Sequence, residues 1–478
     1  MEPSEEYDMS TQSRKYGAAG GMTLALYFVL SLFMGMHLEH AGGLGATLAL
    51  AGLFAAVFGG ALAAFVRLKK PGMGELLFTG GFMAMMMLAR VAMLDFVTAD
   101  YSSFLVHWVA AFREGGFKML AENVGDYNLL YQYALLIFAK TPLHDLYLIK
   151  LLTVIFDYAL ALVMMCAAQA FANERAGLPA LCLTLALPTV LTGGALWGQC
   201  DSVYVFFIVL SLYLLETNRP MRSAASLAIA FAFKLQTIFF FPVVLLGLIH
   251  KRFNWKHALT FFAAYMVTLV PALIAGRTLL SAVSVYANQS LGQYYDRLSY
   301  NAPNLYLFFP MMEFASSQEF TWMRYIPGID GKGTNPFLTE PMMVALQNAS
   351  LYACVILALV AVIYWLMHAQ EITPDMTLGF ALFFAIFLPF VMPKIHERYF
   401  FLADMLSVLY AARYKNRRFM PLLVAGASFM SYVPYLMRQR PIDERWLALM
   451  MLLALVIVAR DLLGQMKENR ALYKGVQA

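Results

Sequence analysis

Apolar runs follow one another along most of the chain, each closed by a short polar or basic break. A helix needs roughly 20 apolar residues to cross a bilayer. On that pattern about fourteen apolar helices are predicted, approximately at 18–38, 44–66, 74–96, 146–171, 176–195, 201–216, 222–234, 236–249, 256–275, 342–368, 376–392, 400–412, 419–436 and 446–463. Several are too short to cross alone. The pair 222–234 and 236–249 has Lys234 and Gln236 at its join, and a broken helix survives in a membrane only where protein or a water-filled cavity receives the freed backbone. In the long break at about 97–145, Phe104, Leu105, Trp108, Val109 and Phe112 recur at helical spacing before Gly115-Gly116, which predicts an amphipathic surface helix; a second is expected over 129–139.

Composition agrees. Of 478 residues 61% are hydrophobic and 13% charged, with a mean hydropathy of +0.65, against roughly 45–50% and 25% in soluble domains. The fold class is therefore an all-α polytopic membrane protein, a bundle of about 12–14 transmembrane helices with amphipathic helices in its outer loops. A net charge of +5 without a dense basic run argues against nucleic acid as a partner. Cys166, Cys182, Cys200 and Cys354 lack the paired spacing of a zinc or redox site. With Glu2, Glu5, Glu6 and Asp8 the N-terminus is too acidic for a cleaved signal peptide, so the first apolar segment is expected to stay.

Lys and Arg set the orientation. Arg67, Lys69, Lys70, Lys251, Arg252, Lys256, Arg413, Lys415, Arg417 and Arg418 fall in loops on the same side as both termini, and the short loops opposite carry far fewer. Positive charge stays inside, so both termini are expected in the cytoplasm. The long loops 97–145 and 276–341 then lie outside, as do four polar breaks: the loop holding Asp95, Asp100 and Asp126; Trp197-Gly198-Gln199-Cys200-Asp201; Lys234-Leu235-Gln236; and Lys394-Ile395-His396-Glu397-Arg398-Tyr399. Three regions follow: 1–73 with two leading helices, a core at 74–412, and a C-terminal hairpin and tail at 413–478.

Asp100-Tyr101 with Trp108 and Gly115-Gly116, then Asp126-Tyr127, Pro188 ahead of Trp197-Gly198-Gln199-x-Asp201, Lys234-x-Gln236 before Pro242, and His396-Glu397-Arg398-Tyr399 together resemble the GT-C superfamily of membrane glycosyltransferases. The likeness is nearest to a bacterial branch similar to glycosylphosphatidylinositol mannosyltransferases. It runs from about residue 90 to 410; the two leading helices depart from the family's pattern. The resemblance implies transfer of a sugar from a polyprenyl-phosphate donor to an outer-face acceptor, with inversion. That reaction needs cations for the phosphate and one carboxylate to take the acceptor's proton.

By family position Asp100 is the expected base, with Asp126 second; the plain alternative is that Asp100 caps the surface helix. Arg398 is expected on the donor phosphate because a guanidinium can bond two of its oxygens, joined by His396, Lys234 and Lys150. Tyr101, Tyr127, Trp197, Gln199, Asp201, Gln236, Glu397 and Tyr399 are the expected substrate contacts, with Asn301 and Asn304 from a second loop that also carries Tyr286, Tyr294, Tyr295, Tyr300 and Tyr306. Trp197 as an interfacial anchor and Asp201 as a helix cap stand beside that reading. Arg90, Lys150 and Asp157 lie within spans, where opposite charges pair. Met83–Met87 reads as packing.

No metal or cofactor is expected to be required, although Asp95, Asp100, Glu122 and Asp126 share a loop and offer oxygens to Mg²⁺ or Mn²⁺. The expected partners are a polyprenyl-phosphate sugar, a glycan, lipid or protein acceptor, and membrane lipids. Two other functions fit the same breaks. One is a transporter or flippase for lipid-linked glycans; the other is a polysaccharide polymerase or ligase, for which Arg277, Arg297, Arg398 and Arg438 would serve a diphosphate donor.

Overall fold

The computed structural model describes residues 3–291, 298–309 and 340–477. Tyr294, Tyr295 and Arg297 lie outside the described residues, as does most of the second long loop. The chain is helical almost throughout: α1 (Pro3–His37), α2 (Leu44–Lys69), α3 (Met73–Val91), α4 (Val106–Gly115), α5 (Leu129–Ala139), α6 (Asp145–Phe171), α7 (Gly177–Ala186), α8 (Pro188–Leu191), α9 (Asp201–Glu216), α10 (Pro220–Phe233), α11 (Phe241–Ile249), α12 (Trp255–Ile274), α13 (Leu279–Leu291), α14 (Glu340–Met367), α15 (Thr377–Val391), α16 (Phe401–Arg413), α17 (Met420–Met437) and α18 (Glu444–Gln477). Among the described residues nine helices are long and apolar enough to span a bilayer, or ten if the bent segment Glu174–Ala186 plus Pro188–Leu196, turned by 50°, is one span. This is an all-α polytopic membrane fold. Fewer helices pass than the pattern predicts because α9, α10, the 235–249 segment and α16 are each too short to cross alone.

The chain divides into two compact units: Met1–Lys234 with Phe261–Tyr286, and Leu235–Thr260 with Ala287–Ala478. In the first, α6 is the hub, packed against α2, α7 and α9 and buried along most of its length. Its one acidic residue in mid-span, Asp157, is paired with Arg90 of α3 at 2.9 Å, both side chains sealed from solvent. The Ser202 hydroxyl also donates to Asp157, so the structural pairing expected of Asp157 is met by Arg90 on a neighbouring helix. In the second unit α15, α16, α17 and α18 pack on one another. Arg417 there makes a two-pronged bond to Asp461 (2.7 and 2.6 Å), and the Tyr410 hydroxyl donates to the same carboxylate at 2.7 Å.

Two local devices shape the first unit. Leu187, preceding Pro188, is pushed to an extended conformation and ends α7, and Pro188 then opens α8 where its missing N–H is no loss. The loop after α3 holds the predicted surface helix, entered by a wide turn at Tyr101–Leu105. Leu105, Val109 and Phe112 are its buried face, while Phe104 is turned out.

Candidate active site

Asp100 stands where α3 has ended and the surface helix begins. In the turn that follows α3, Lys150 gathers three carbonyls: its ammonium donates to Met93 O (3.1 Å), Leu94 O (2.7 Å) and Phe96 O (2.7 Å). All three of its hydrogens are thereby occupied. Lys150 was expected to reach a phosphate; it is instead a backbone clamp. Thr98 receives the Tyr101 N–H on its hydroxyl at 3.4 Å and the Ser102 N–H on its carbonyl at 3.1 Å. Asp100 itself has helical angles and makes no capping bond, so the capping alternative falls.

The Asp100 side chain is engaged elsewhere. Its Oδ2 accepts from Trp197 Nε1 at 2.9 Å and from Gln199 Nε2 at 2.7 Å. Gln199 Oε1 in turn accepts from the Tyr127 hydroxyl at 2.8 Å. Three segments far apart in sequence are thus joined in one run of bonds that ends on the Asp100 carboxylate. Trp197 and Gln199, expected to touch the sugar, orient Asp100, and Trp197 is only 2% exposed, which rules out an interfacial anchor.

The Trp197–Asp201 segment owes its path to close backbone approach. After α8 the chain makes a wide turn over Thr192–Leu196, and a Cβ on Gly194 would sit 2.9 Å from the Asp157 carboxylate and 3.2 Å from the Thr153 hydroxyl. Only glycine lets this turn lie against α6. Asp201 then begins α9 but is not its cap; its Oδ1 accepts from Lys234 at 2.6 Å, and the ammonium lies 5.6 Å from the Tyr204 ring centre. Lys234 ends α10 in an extended conformation. Both side chains of this pair are nearly buried.

Tyr127 is set by its neighbours. Trp108 meets it edge-on at 5.5 Å and Tyr131 lies 4.6 Å away, while Gln132 donates to its carbonyl at 2.8 Å. Gly125, at φ +73°, carries the Trp108 ring; a Cβ there would fall 2.3 Å from the indole. Asp126 is exposed. Tyr101 turns toward Asp145, which pairs with Arg113 at 2.6 Å; burial, then Asp145, pushes its phenol up to about 12. It is not among the groups bonded to Asp100.

The remaining expected residues belong to the second unit. Ile395–His396 pairs in parallel with Ser299–Tyr300, Asn301 bridges to His396, and Lys394 N donates to Leu298 O at 2.8 Å. The Tyr300 and His396 rings stack at 4.6 Å and 13°, and Tyr399 lies 5.7 Å from His396 and 6.5 Å from Phe239. Glu397 is buried and Arg398 half-buried. Burial lowers the Lys394 pKa. Asn304, fully buried, caps the short turn at Leu305–Phe308 through Tyr306 N (3.2 Å), and the Tyr306 hydroxyl donates to Val391 O at 2.8 Å. Gln236 stands in the tight turn Leu235–Phe240, its Oε1 buried without a hydrogen-bond partner among the described residues.

Sequence reasoning did not place Arg277 in relation to Asp100. The sequence offered Arg277 only as one of the arginines for a diphosphate donor; its bonds to Glu122 O and the Asn123 side chain join residues more than 150 apart, which no local pattern marks.

No curated protein matches the chain. The family model for glycosyltransferase family 87 matches residues 127–393, more than half the chain. That stretch takes in Tyr127, Trp197, Gln199, Asp201 and Lys234; Asp100 precedes it, and His396–Tyr399 follows it.

Proposed function

Since the chain belongs to glycosyltransferase family 87, a membrane family of the GT-C type, we propose that it moves a hexose from a polyprenyl-phosphate donor to a glycan, lipid or protein acceptor on the extracytoplasmic face, both termini being cytoplasmic. The acceptor oxygen attacks the anomeric carbon from the side opposite the phosphate. As that bond forms, the bond from anomeric carbon to phosphate oxygen breaks and its electron pair leaves on the polyprenyl phosphate. Asp100 takes the acceptor's proton. A phosphate leaving group needs no general acid, so one base and nearby cations suffice. Arg398 and His396 are the donor-phosphate candidates supplied by the family resemblance. No metal enters this scheme, and chelation is expected to leave turnover unchanged.

The observation that carries the reading is the two-donor grip on Asp100 Oδ2 by Trp197 and Gln199, with Gln199 itself oriented by Tyr127. A carboxylate that served only solubility or capping would have no use for two oriented donors; a base must be aimed. The test is incubation of the purified protein, in detergent and in lipid, with a panel of polyprenyl-phosphate hexoses and candidate glycan acceptors. Donor consumption abolished by Asp100→Asn is expected. Consumption that survives this substitution would move the base elsewhere.

A further inference from the structure

Arg277 lies between α12 and α13 of the first unit and is 3% exposed. Its Nη1 donates to Glu122 O at 3.0 Å, and its Nη2 to the Asn123 side-chain oxygen and to Ser281 O at 3.3 Å. Its Nε is buried with no hydrogen-bond partner among the described residues. Every one of these acceptors is neutral, and burial pulls the guanidinium below its usual pKa, with Tyr133 and Glu122 opposing that shift. A buried cation without a bonded carboxylate is costly, and an apolar side chain would fill the same space at less cost. What an apolar residue lacks is a planar fork that bonds two successive residues of a loop at once.

The loop in question runs from Glu122 to Tyr127. Its far end is fastened by Gln132 on the Tyr127 carbonyl and by Asn128 Nδ2 on Phe231 O at 3.3 Å. Its near end, among the described residues, takes its long-range hydrogen bonds from Arg277 alone. We infer that Arg277 is a positioning residue: by clamping Glu122 and Asn123 it fixes the loop that presents the Tyr127 hydroxyl to Gln199, and so sets the aim of Asp100. The catalytic part of this inference rests on Asp100 being the base; the clamp does not.

The test has two arms, both on the full chain. In the first, amide hydrogen exchange over residues 120–127 is followed in Arg277→Gln without any substrate. Exchange there should rise by about tenfold or more while α6 and α9 keep their protection; unchanged exchange in the loop would overturn the clamp. In the second, turnover of a polyprenyl-phosphate hexose is measured for Arg277→Gln, Tyr127→Phe and the double variant. Each single change should lower kcat by about tenfold with KM little moved, and the double should be no slower than the slower single, because both act through one hydroxyl. Rate losses that multiply would show that Arg277 acts by another route. Arg277→Lys, which keeps the charge but not the fork, should recover only part of the rate, and it carries both arms if Arg277→Gln does not fold. A faster-exchanging loop together with an active Asp100→Asn enzyme would uphold the clamp while removing Asp100 as base.

Discussion

The first unit holds Asp100 through side chains from two other stretches of the chain, Trp197 with Gln199 and, behind Gln199, Tyr127, whereas the second holds His396 through its backbone, paired with Ser299–Tyr300 and bridged by Asn301. The difference decides what a substitution does. Around Asp100 the orienting groups are themselves side chains, so replacing one releases the next. Around His396 the ladder survives most side-chain changes, because N–H and C=O groups make it. The first arrangement gives a carboxylate a fixed direction; the second gives a short strip a fixed path and leaves its side chains replaceable.

The largest effect expected from this contrast is at Asp100. Asp100→Asn keeps the shape and can keep both neighbours, yet removes the proton acceptor, and should lower kcat by about 10²–10⁴-fold with the thermal midpoint close to the parent's. Steady-state transfer assays beside thermal unfolding in detergent check it. An equal fall in stability would mean that Asp100 is a structural residue and that the contrast does not concern catalysis.

Next in size is Lys234. Its ammonium pairs with Asp201 at 2.6 Å, and both are nearly buried. Lys234→Met takes the paired cation away from that buried carboxylate, a change worth about 3–5 kcal/mol. Adding Asp201→Leu removes the buried negative charge as well and should return much of the lost stability, read as the thermal midpoint of single and double variants. If the single variant instead unfolds at the parent's temperature but no longer binds donor, Lys234 is a phosphate ligand first and a structural pair second.

Much of the first unit could be read directly from the order of its residues. The helices Leu129–Ala139 and Asp201–Glu216 begin and end where the apolar runs do, since the length of an apolar run is a local property. Asp100, Trp197 and Gln199 could be singled out because polar groups beside spans are expensive and need a reason. Their mutual bonds could not. Whether a buried charge takes Arg90, Lys150 or a backbone carbonyl depends on which helices become neighbours, and periodicity is silent on that. Lys150 and Asp157, two turns apart on α6, illustrate the point: one gathers the turn that follows α3 and the other meets Arg90 of α3. In the second unit the polar strip was conspicuous because it is contiguous, but its partner strand, about a hundred residues earlier, leaves no mark in the pattern.

A middle-sized effect sharpens the contrast at Gln199. Gln199→Leu takes one donor from Asp100 and the acceptor from Tyr127 together, and about ten- to a hundredfold should be lost from kcat. Trp197→Phe removes one donor while keeping most of the packing and should lose less. The two variants combined with Asp100→Asn should add little further loss, since nothing remains to be aimed. Independent losses on that background would show that Trp197 and Gln199 touch substrate themselves.

The smallest effect belongs to His396. Its ring stacks on Tyr300 at 4.6 Å, an arrangement worth about 0.5–1.5 kcal/mol beyond the area it buries. His396→Ala should therefore lower the thermal midpoint only slightly, because the pairing of Ile395–His396 with Ser299–Tyr300 asks nothing of the side chain, and His396→Phe should restore it. What the two variants share is the loss of both ring nitrogens. If the imidazole serves the donor phosphate, both should raise the KM for donor alike while differing in stability. A midpoint drop in His396→Ala as large as that of Lys234→Met would mean that the strip, too, is held by its side chains.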